Sequence, residues 1–200
     1  MEERVTLWQE ERNKRKSTTI FFVAVLVLFT IVVGVYYLYT DVYIRVLVKG
    51  SSMENTLKDG DVVTVNTKKE ADYGDIIVIS DDESSGWIIK RLIAKGGDEV
   101  MISQGYVFVN GEKLVEPYIK EEGSTYYPEC TDKNHLELLV LTVPKGEIFF
   151  LGDNRKLSSD SRNPLYGTVS VDNVVGVVTP FHLKVKNLTK KIVYLTSKDI

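Results

Sequence analysis

Apolar positions follow two different patterns along this chain. From Ile20 to Leu38 they form one run without a charged residue, Ile-Phe-Phe-Val-Ala-Val-Leu-Val-Leu-Phe-Thr-Ile-Val-Val-Gly-Val-Tyr-Tyr-Leu, close to the ~20 residues with which a helix crosses a bilayer. Beyond Thr40 they break into short β-branched runs separated by glycine and charged turns: Val42–Val48, Asp61–Asn66, Asp75–Ser80, Trp87–Ala94, Glu99–Ser103, Tyr106–Val109, Glu147–Leu151 and Val174–Thr179. That pattern predicts a mostly β domain. Asn110-Gly111, flanked by Tyr106-Val-Phe-Val and Glu112-Lys-Leu-Val, predicts a hairpin, because both central residues of a type I′ turn need positive φ. From Glu116 to Asn134 the chain turns polar, which predicts a long loop or an insertion spanning about residues 104–145. The tail, with Leu183-Lys-Val-Lys and Ile192-Val-Tyr-Leu, suggests no role.

The apolar run reads as a transmembrane anchor over residues 20–39. A cleaved signal peptide is the competing reading, but the run exceeds the ~7–15 residues of such a segment and no small-x-small site follows. Tyr36, Tyr37, Tyr39 and Tyr43 mark its outer end as an interfacial aromatic belt. Arg12, Lys14, Arg15 and Lys16 precede the run, whereas Arg45 and Lys49 follow it. By the positive-inside rule, residues 1–19 are then cytoplasmic and residues 40–200 extracytoplasmic.

Composition narrows the chemistry. A formal charge of -3 without a long basic tract gives no reason to expect nucleic acid as a partner. One cysteine, Cys130, cannot form an internal disulfide, and with two histidines, His135 and His182, it is too little for a structural zinc site. No metal or cofactor is expected.

Three clusters could carry a reaction: Gly50-Ser51-Ser52-Met53-Glu54-Asn55-Thr56-Leu57, then Lys90-Arg91 within Trp87–Ala94, and Gly152-Asp153-Asn154-Arg155 through Asp160-Ser161-Arg162. Each has a plainer reading. Gly-Ser-Ser after a strand is ordinarily a turn, and the third cluster passes for a solvated loop. Strand alternation puts Ile88, Lys90 and Leu92 on one face and Ile89, Arg91 and Ile93 on the other, so one cation must meet a buried surface. The alternative is an edge strand whose outer lysine blunts aggregation. A serine hydroxyl needs a base to become a nucleophile, and histidine is the usual one. His135 and His182 lie in no motif that would support a Ser-His-Asp triad, and Cys130 has no histidine-bearing motif beside it. Burial can make lysine a base by lowering its pKa from about 10.4 to as little as ~5–6, and Lys90 stands among Trp87, Ile88, Ile89 and Leu92.

Together, and in this order, the three clusters resemble the bacterial type I signal peptidases. The resemblance covers the anchor and most of the exported domain. It implies Ser52, the serine immediately before Met53, as nucleophile and Lys90 as general base. Ser158 is then implied to orient the lysine, Asp160 and Arg162 to pair and brace the site, and Asp153 and Arg91 to support it. Val48, Met53, Leu57 and Ile89 are candidates for shallow pockets that take small side chains at positions -1 and -3 of a leader peptide. The implied fold is a coiled all-β domain with a capping insertion. The implied partners are signal peptides of secreted or surface preproteins, pilins among them, together with membrane lipid and the secretion translocon. Asn55 stands where the family has proline, Gly50 where one branch has serine, and Lys156 and Leu157 where an acidic and a polar residue are usual. The short length, single anchor and Gly50 resemble the Gram-positive branch. Two other readings use related features: a signal-peptidase-like assembly factor or chaperone for surface pili, and a self-cleaving repressor-like Ser-Lys peptidase. The anchor and the lack of a DNA-binding module argue against the second.

Overall fold

The computed structural model describes residues 2–81, 86–126, 139–164, 166–179 and 193–194. Cys130, His135 and His182 lie outside the described residues, as does most of the polar stretch after Tyr126. The chain divides into two units, residues 1–42 and 43–200.

The first unit is one helix, α1 (Glu2–Val42), longer at both ends than the apolar run. Its N-terminal extension is rich in Glu, Arg, Lys and Gln, strong helix formers that continue the helix without apolar character. From Arg12 to Val42 it is long and apolar enough to span a membrane. Phe21, Phe22, Leu26, Leu28, Phe29 and Val32 are all exposed, so the apolar surface runs around the helix instead of forming a core-facing stripe.

The second unit begins at once with β1 (Tyr43–Leu47), followed by β2 (Val62–Asn66), β3 (Ile76–Asp81), β4 (Gly86–Lys95), β5 (Glu99–Ser103), β6 (Tyr106–Val109), β7 (Glu112–Lys113), β8 (Leu139–Thr142), β9 (Glu147–Leu151), β10 (Val169–Ser170), β11 (Val174–Val178) and β12 (Val193–Tyr194). Among the described residues these make an eight-stranded sheet in the order β10-β9-β4-β3-β11-β2-β1-β12 and a four-stranded sheet β7-β6-β5-β8. The domain is mostly β, as its patterning predicts. The expected hairpin is present: Asn110 and Gly111 have φ of 53° and 82°, with Val109 opposite Glu112.

The long apolar runs become the strands buried on both faces. β9, Glu147-Ile-Phe-Phe-Leu, lies between β10 and β4 and buries Ile148, Phe149, Phe150 and Leu151. Phe149 and Phe150 are fully buried, worth ~1.5–3 kcal/mol each. β4 is likewise internal, between β3 and β9, so the edge-strand reading of Lys90 fails. Both its cations are buried, Lys90 at 5% exposure and Arg91 at 8%.

The four-stranded sheet starts at Glu99, earlier than the position near 104 at which an insertion is expected, because Val100 and Ile102 pair with β6 on one side and β8 on the other. Its two ends meet at a narrow neck. Val143 N–H donates to the Asp98 carbonyl and Gly97 N–H to the Val143 carbonyl, both at 2.8 Å. A Cβ on Gly96 would lie 2.7 Å from the Pro144 carbonyl oxygen, so only glycine lets these backbones approach.

Candidate functional site

The first cluster forms the loop after β1. Val48 N–H donates to the Asp61 carbonyl at 2.8 Å, and Gly50, at φ 84°, donates its N–H to Asp59 Oδ1 at 2.8 Å. Positive φ at Gly50 turns the chain into the tight segment that follows, where Glu54 N–H donates to the Ser51 carbonyl and Leu57 N–H to the Met53 carbonyl. Met53 and Leu57 are nearly fully buried and anchor this segment in the core with Val48, Val63 and Val65. Ser52 is held at its apex.

Lys90 reaches that apex from β4, its Nζ donating to Ser52 Oγ at 2.8 Å. Next to it Arg91 forms a two-point contact with Asp153, Nε to Oδ1 at 2.8 Å and Nη2 to Oδ2 at 2.6 Å. Arg91 also donates from Nη1 to the Gly74 carbonyl at 2.6 Å and lies 3.8 Å from the centre of the Tyr118 ring. The alternating faces of β4 thus carry its two cations to different tasks.

The third cluster leaves β9 and crosses the first. Asn154 N–H donates to the Ser52 carbonyl at 2.9 Å and Asn154 Nδ2 to the Ser51 carbonyl at 3.1 Å. Asp153 accepts a short hydrogen bond from Thr56 Oγ1, and its N–H points to the Met53 sulfur at 3.5 Å. Asn55 ties the same two loops through Nδ2 to the Asp153 carbonyl at 3.3 Å, a cross-loop brace that takes the place of the fixed φ of proline.

Asp160 accepts from Arg162 Nε at 2.8 Å, Arg162 Nη2 at 3.0 Å and Gly152 N–H at 3.0 Å. Burial alone would raise the Asp160 pKa, but the Arg162 charge and these hydrogen bonds outweigh it and hold the carboxyl below the ordinary carboxylate range. A Cβ on Gly152 would come 2.2 Å from Ser158 Oγ and 2.7 Å from the Ser52 carbonyl oxygen. The absence of a side chain at Gly152 is what lets the Ser158 segment close on the Ser52 loop. The Ser158 hydroxyl oxygen is buried and makes no well-formed hydrogen bond among the described residues, yet it lies close enough to Asp160 to help hold that carboxyl down. The bond from Ser158 to the lysine that the resemblance implies is therefore not formed in this structure.

Val48, Met53 and Ile89 line a small pocket that also contains Ser52. Leu57 does not line it; at 1% exposure it belongs to the core below. Trp87 and Ile88 complete the wall with Lys49 and Gly50, residues that sequence reasoning missed although Trp87 and Ile88 stand beside Lys90 in the same strand. Also missed were Glu116 and Thr125, whose side chains hold Arg155. Their polar stretch carries no pattern to separate a buried acceptor from a solvated loop.

Residues 18–182 match the family described as signal peptidase, peptidase S26. A signal peptidase I of Bacillus amyloliquefaciens is 39% identical over 147 residues, 68% of this chain and 74% of that protein. The signal peptidase I U of Bacillus subtilis strain 168 is 33% identical over 172 residues, 82% of this chain and 87% of its own length. The signal peptidase IB of Staphylococcus aureus strain N315 is 32% identical over 149 residues, 66% of this chain and 73% of that protein. Among solved structures, a signal peptidase I from Enterococcus faecalis V583 is similar at 31% identity and a TM-score of 0.46, covering 56% of this chain and 98% of that one.

Proposed function

Since the chain belongs to the signal peptidase family, peptidase S26, we propose that Ser52 and Lys90 are the catalytic pair with which it removes signal peptides from exported preproteins. The observation that carries this reading is the 2.8 Å contact between Lys90 Nζ and Ser52 Oγ. With the amine neutral, the same contact runs the other way, the Ser52 hydroxyl donating to the nitrogen lone pair. Lys90 takes that proton as Oγ attacks the scissile carbonyl, and the oxyanion is held in part by the Ser52 backbone N–H. The protonated amine then gives its proton to the departing amine of the mature chain. Water, deprotonated by Lys90, hydrolyses the Ser52 ester and frees the leader.

Burial supports the base role, because desolvation disfavours the charged form of lysine and substrate in the pocket excludes more water. We assign Ser158 to aiming the Lys90 amine once substrate is bound, since a hydroxyl that leans on Asp160 keeps acceptor lone pairs for the amine. Asp153 with Arg91, and Asp160 with Arg162, hold the three loops in register. The small pocket of Val48, Met53, Trp87 and Ile89 takes a short side chain at -1, where a larger one costs typically ~1–3 kcal/mol in overpacking.

Incubation with a model preprotein tests the assignment. Ser52→Ala and Lys90→Arg should both abolish cleavage, because a guanidinium keeps its proton at any workable pH. For the wild-type protein kcat/KM should rise with pH through an ionisation well below the ~10.4 of free lysine. Cleavage by Lys90→Arg at near the wild-type rate would remove the lysine from the mechanism, and efficient cutting of a leader with phenylalanine at -1 would remove the pocket. The helix supports membrane anchoring, and we assign residues 1–19 to the cytoplasm and the β domain to the outer side from the charge bias. Contact with lipid and the translocon follows from that placement. The relatives bear the name signal peptidase I and not that of a pilus assembly factor, so a dedicated assembly role is not favoured. Pilins remain one class of preprotein that such an enzyme would cut.

A further inference from the structure

The segment from Glu116 to Tyr126 leaves the four-stranded sheet and touches, one after another, the arginines of the second and third clusters. Glu116 makes a two-point ion pair with Arg155, Arg155 Nη1 lying 3.1 Å from Oε2 and Nη2 contacting Oε1 at short range. The two side chains are 6% and 1% exposed. Thr125, fully buried, accepts a short hydrogen bond from Arg155 Nη1. The Tyr126 carbonyl accepts from Arg162 Nη1 at 2.9 Å. The Tyr118 ring stacks on Arg91 while its hydroxyl donates to Glu116 Oε1 at 3.0 Å. Burial, and then the Glu116 charge, push the Tyr118 hydroxyl well above the ordinary phenol range, which keeps it a donor.

The strap is fixed at its other end as well. Thr125 N–H donates to the Gly105 carbonyl at 3.0 Å, and a Cβ on Gly105 would lie 1.9 Å from the Gly123 carbonyl oxygen. It is thus clamped to the turn between β5 and β6. On the site side, Arg155 Nε donates to the Gly152 carbonyl at 3.0 Å, and Arg162 Nη2 donates to the Arg155 carbonyl at 2.7 Å. Gly152 in turn carries the close approach to Ser158 and to the Ser52 carbonyl.

We propose that this strap positions the catalytic pair, with Glu116 as the positioning residue that acts through Arg155 and Gly152. The inserted sheet is then part of the machinery that holds the site, and not a neutral appendage. The inference rests on the reading of Ser52 and Lys90 as the reacting groups. Neutralising Glu116 leaves Arg155 buried without its counter-charge, and the loop from Gly152 to Ser158 must shift to hydrate it.

The test compares wild type, Glu116→Gln, Tyr118→Phe and the outward control Val115→Ser, Val115 being 83% exposed. Steady-state cleavage of a leader peptide is measured beside amide hydrogen exchange and thermal melts of the full chain in detergent. For folded Glu116→Gln, kcat should fall roughly ten- to hundred-fold with KM within about two-fold, the pattern of misplacement and not of lost binding. Amides of residues 152–158 should exchange faster while those of β2 do not change, and Val115→Ser should match wild type. An unchanged kcat, a loss confined to KM, or a loss no larger than the fall in folded fraction would overturn the proposal. Should Glu116→Gln fail to fold, Tyr118→Phe, which removes one hydrogen bond to Glu116, should lower kcat about three-fold or more; an unchanged value overturns it. If the wild-type protein does not cut the peptide, the catalytic reading fails, and the exchange at 152–158 still decides whether Glu116 holds that loop.

Discussion

Asp160 has a folded-state pKa held down by Arg162, which gives the site a defined response to acid. A carboxyl whose folded pKa is depressed contributes stability that is fully present above its unfolded value of about 3.9 and is lost as pH falls through the folded pKa. The contribution is therefore intact at neutral pH and disappears only in strong acid. Asp160→Asn should remove it at pH 7 and flatten the acid limb of stability below about pH 4, read as the urea midpoint against pH. It also leaves the buried Arg162 without its carboxylate, a loss of about 3–5 kcal/mol. Asp160 and Arg162 were singled out by the resemblance to the signal peptidases, since their residues alone pass for a solvated loop. Glu116 could not be singled out, since its partner Arg155 is 39 residues away and a lone glutamate in a polar stretch looks like any surface acid. Leu57 misled for the opposite reason: four residues after Met53 on a one-turn segment, it packs in the same core cluster but does not line the pocket.

Among the elements, the β5–β8 sheet shows how far local pattern reaches. The Asn110-Gly111 turn and the strands around it were legible because type I′ geometry has its own residue preferences. Gly111→Ala should cost about 1–2 kcal/mol at its φ of 82°, seen as a lower urea midpoint, with kcat/KM of the folded protein unchanged. The pairing of that sheet with β8 was not legible. Leu139–Thr142 is short and only half-buried, and it finds β5 across a long intervening stretch. The interior place of β4 was also hidden. In the sequence Lys90-Arg91 fits a buried face or an edge equally well, and the pairing of Arg91 with Leu151 and Leu92 with Phe150 decides for the interior.

For the whole molecule, the boundary at Val42/Tyr43 separates a helix whose run from Ile20 to Leu38 carries apolar side chains on every face from a domain that carries its own cores. The excess of Arg12, Lys14, Arg15 and Lys16 over Arg45 and Lys49 predicts the direction of insertion. Protease added to intact spheroplasts should digest the β domain; protection until the membrane is opened would reverse the orientation and the access of substrate with it.

The long-range contacts of the site also set an order in time. A ribosome adds residues at about 5–20 per second, and Ser52 and Lys90, the proposed catalytic pair, are separated by 38 residues, whereas Arg91 waits 62 residues for Asp153. For roughly 3–12 s at that rate, Arg91 exists without the carboxylate that neutralises it, and the Ser52 loop without the backbone that clasps its carbonyl. A nascent chain thus carries both proposed reacting side chains well before the loops that hold them are complete, so synthesis itself delays the assembly of the site.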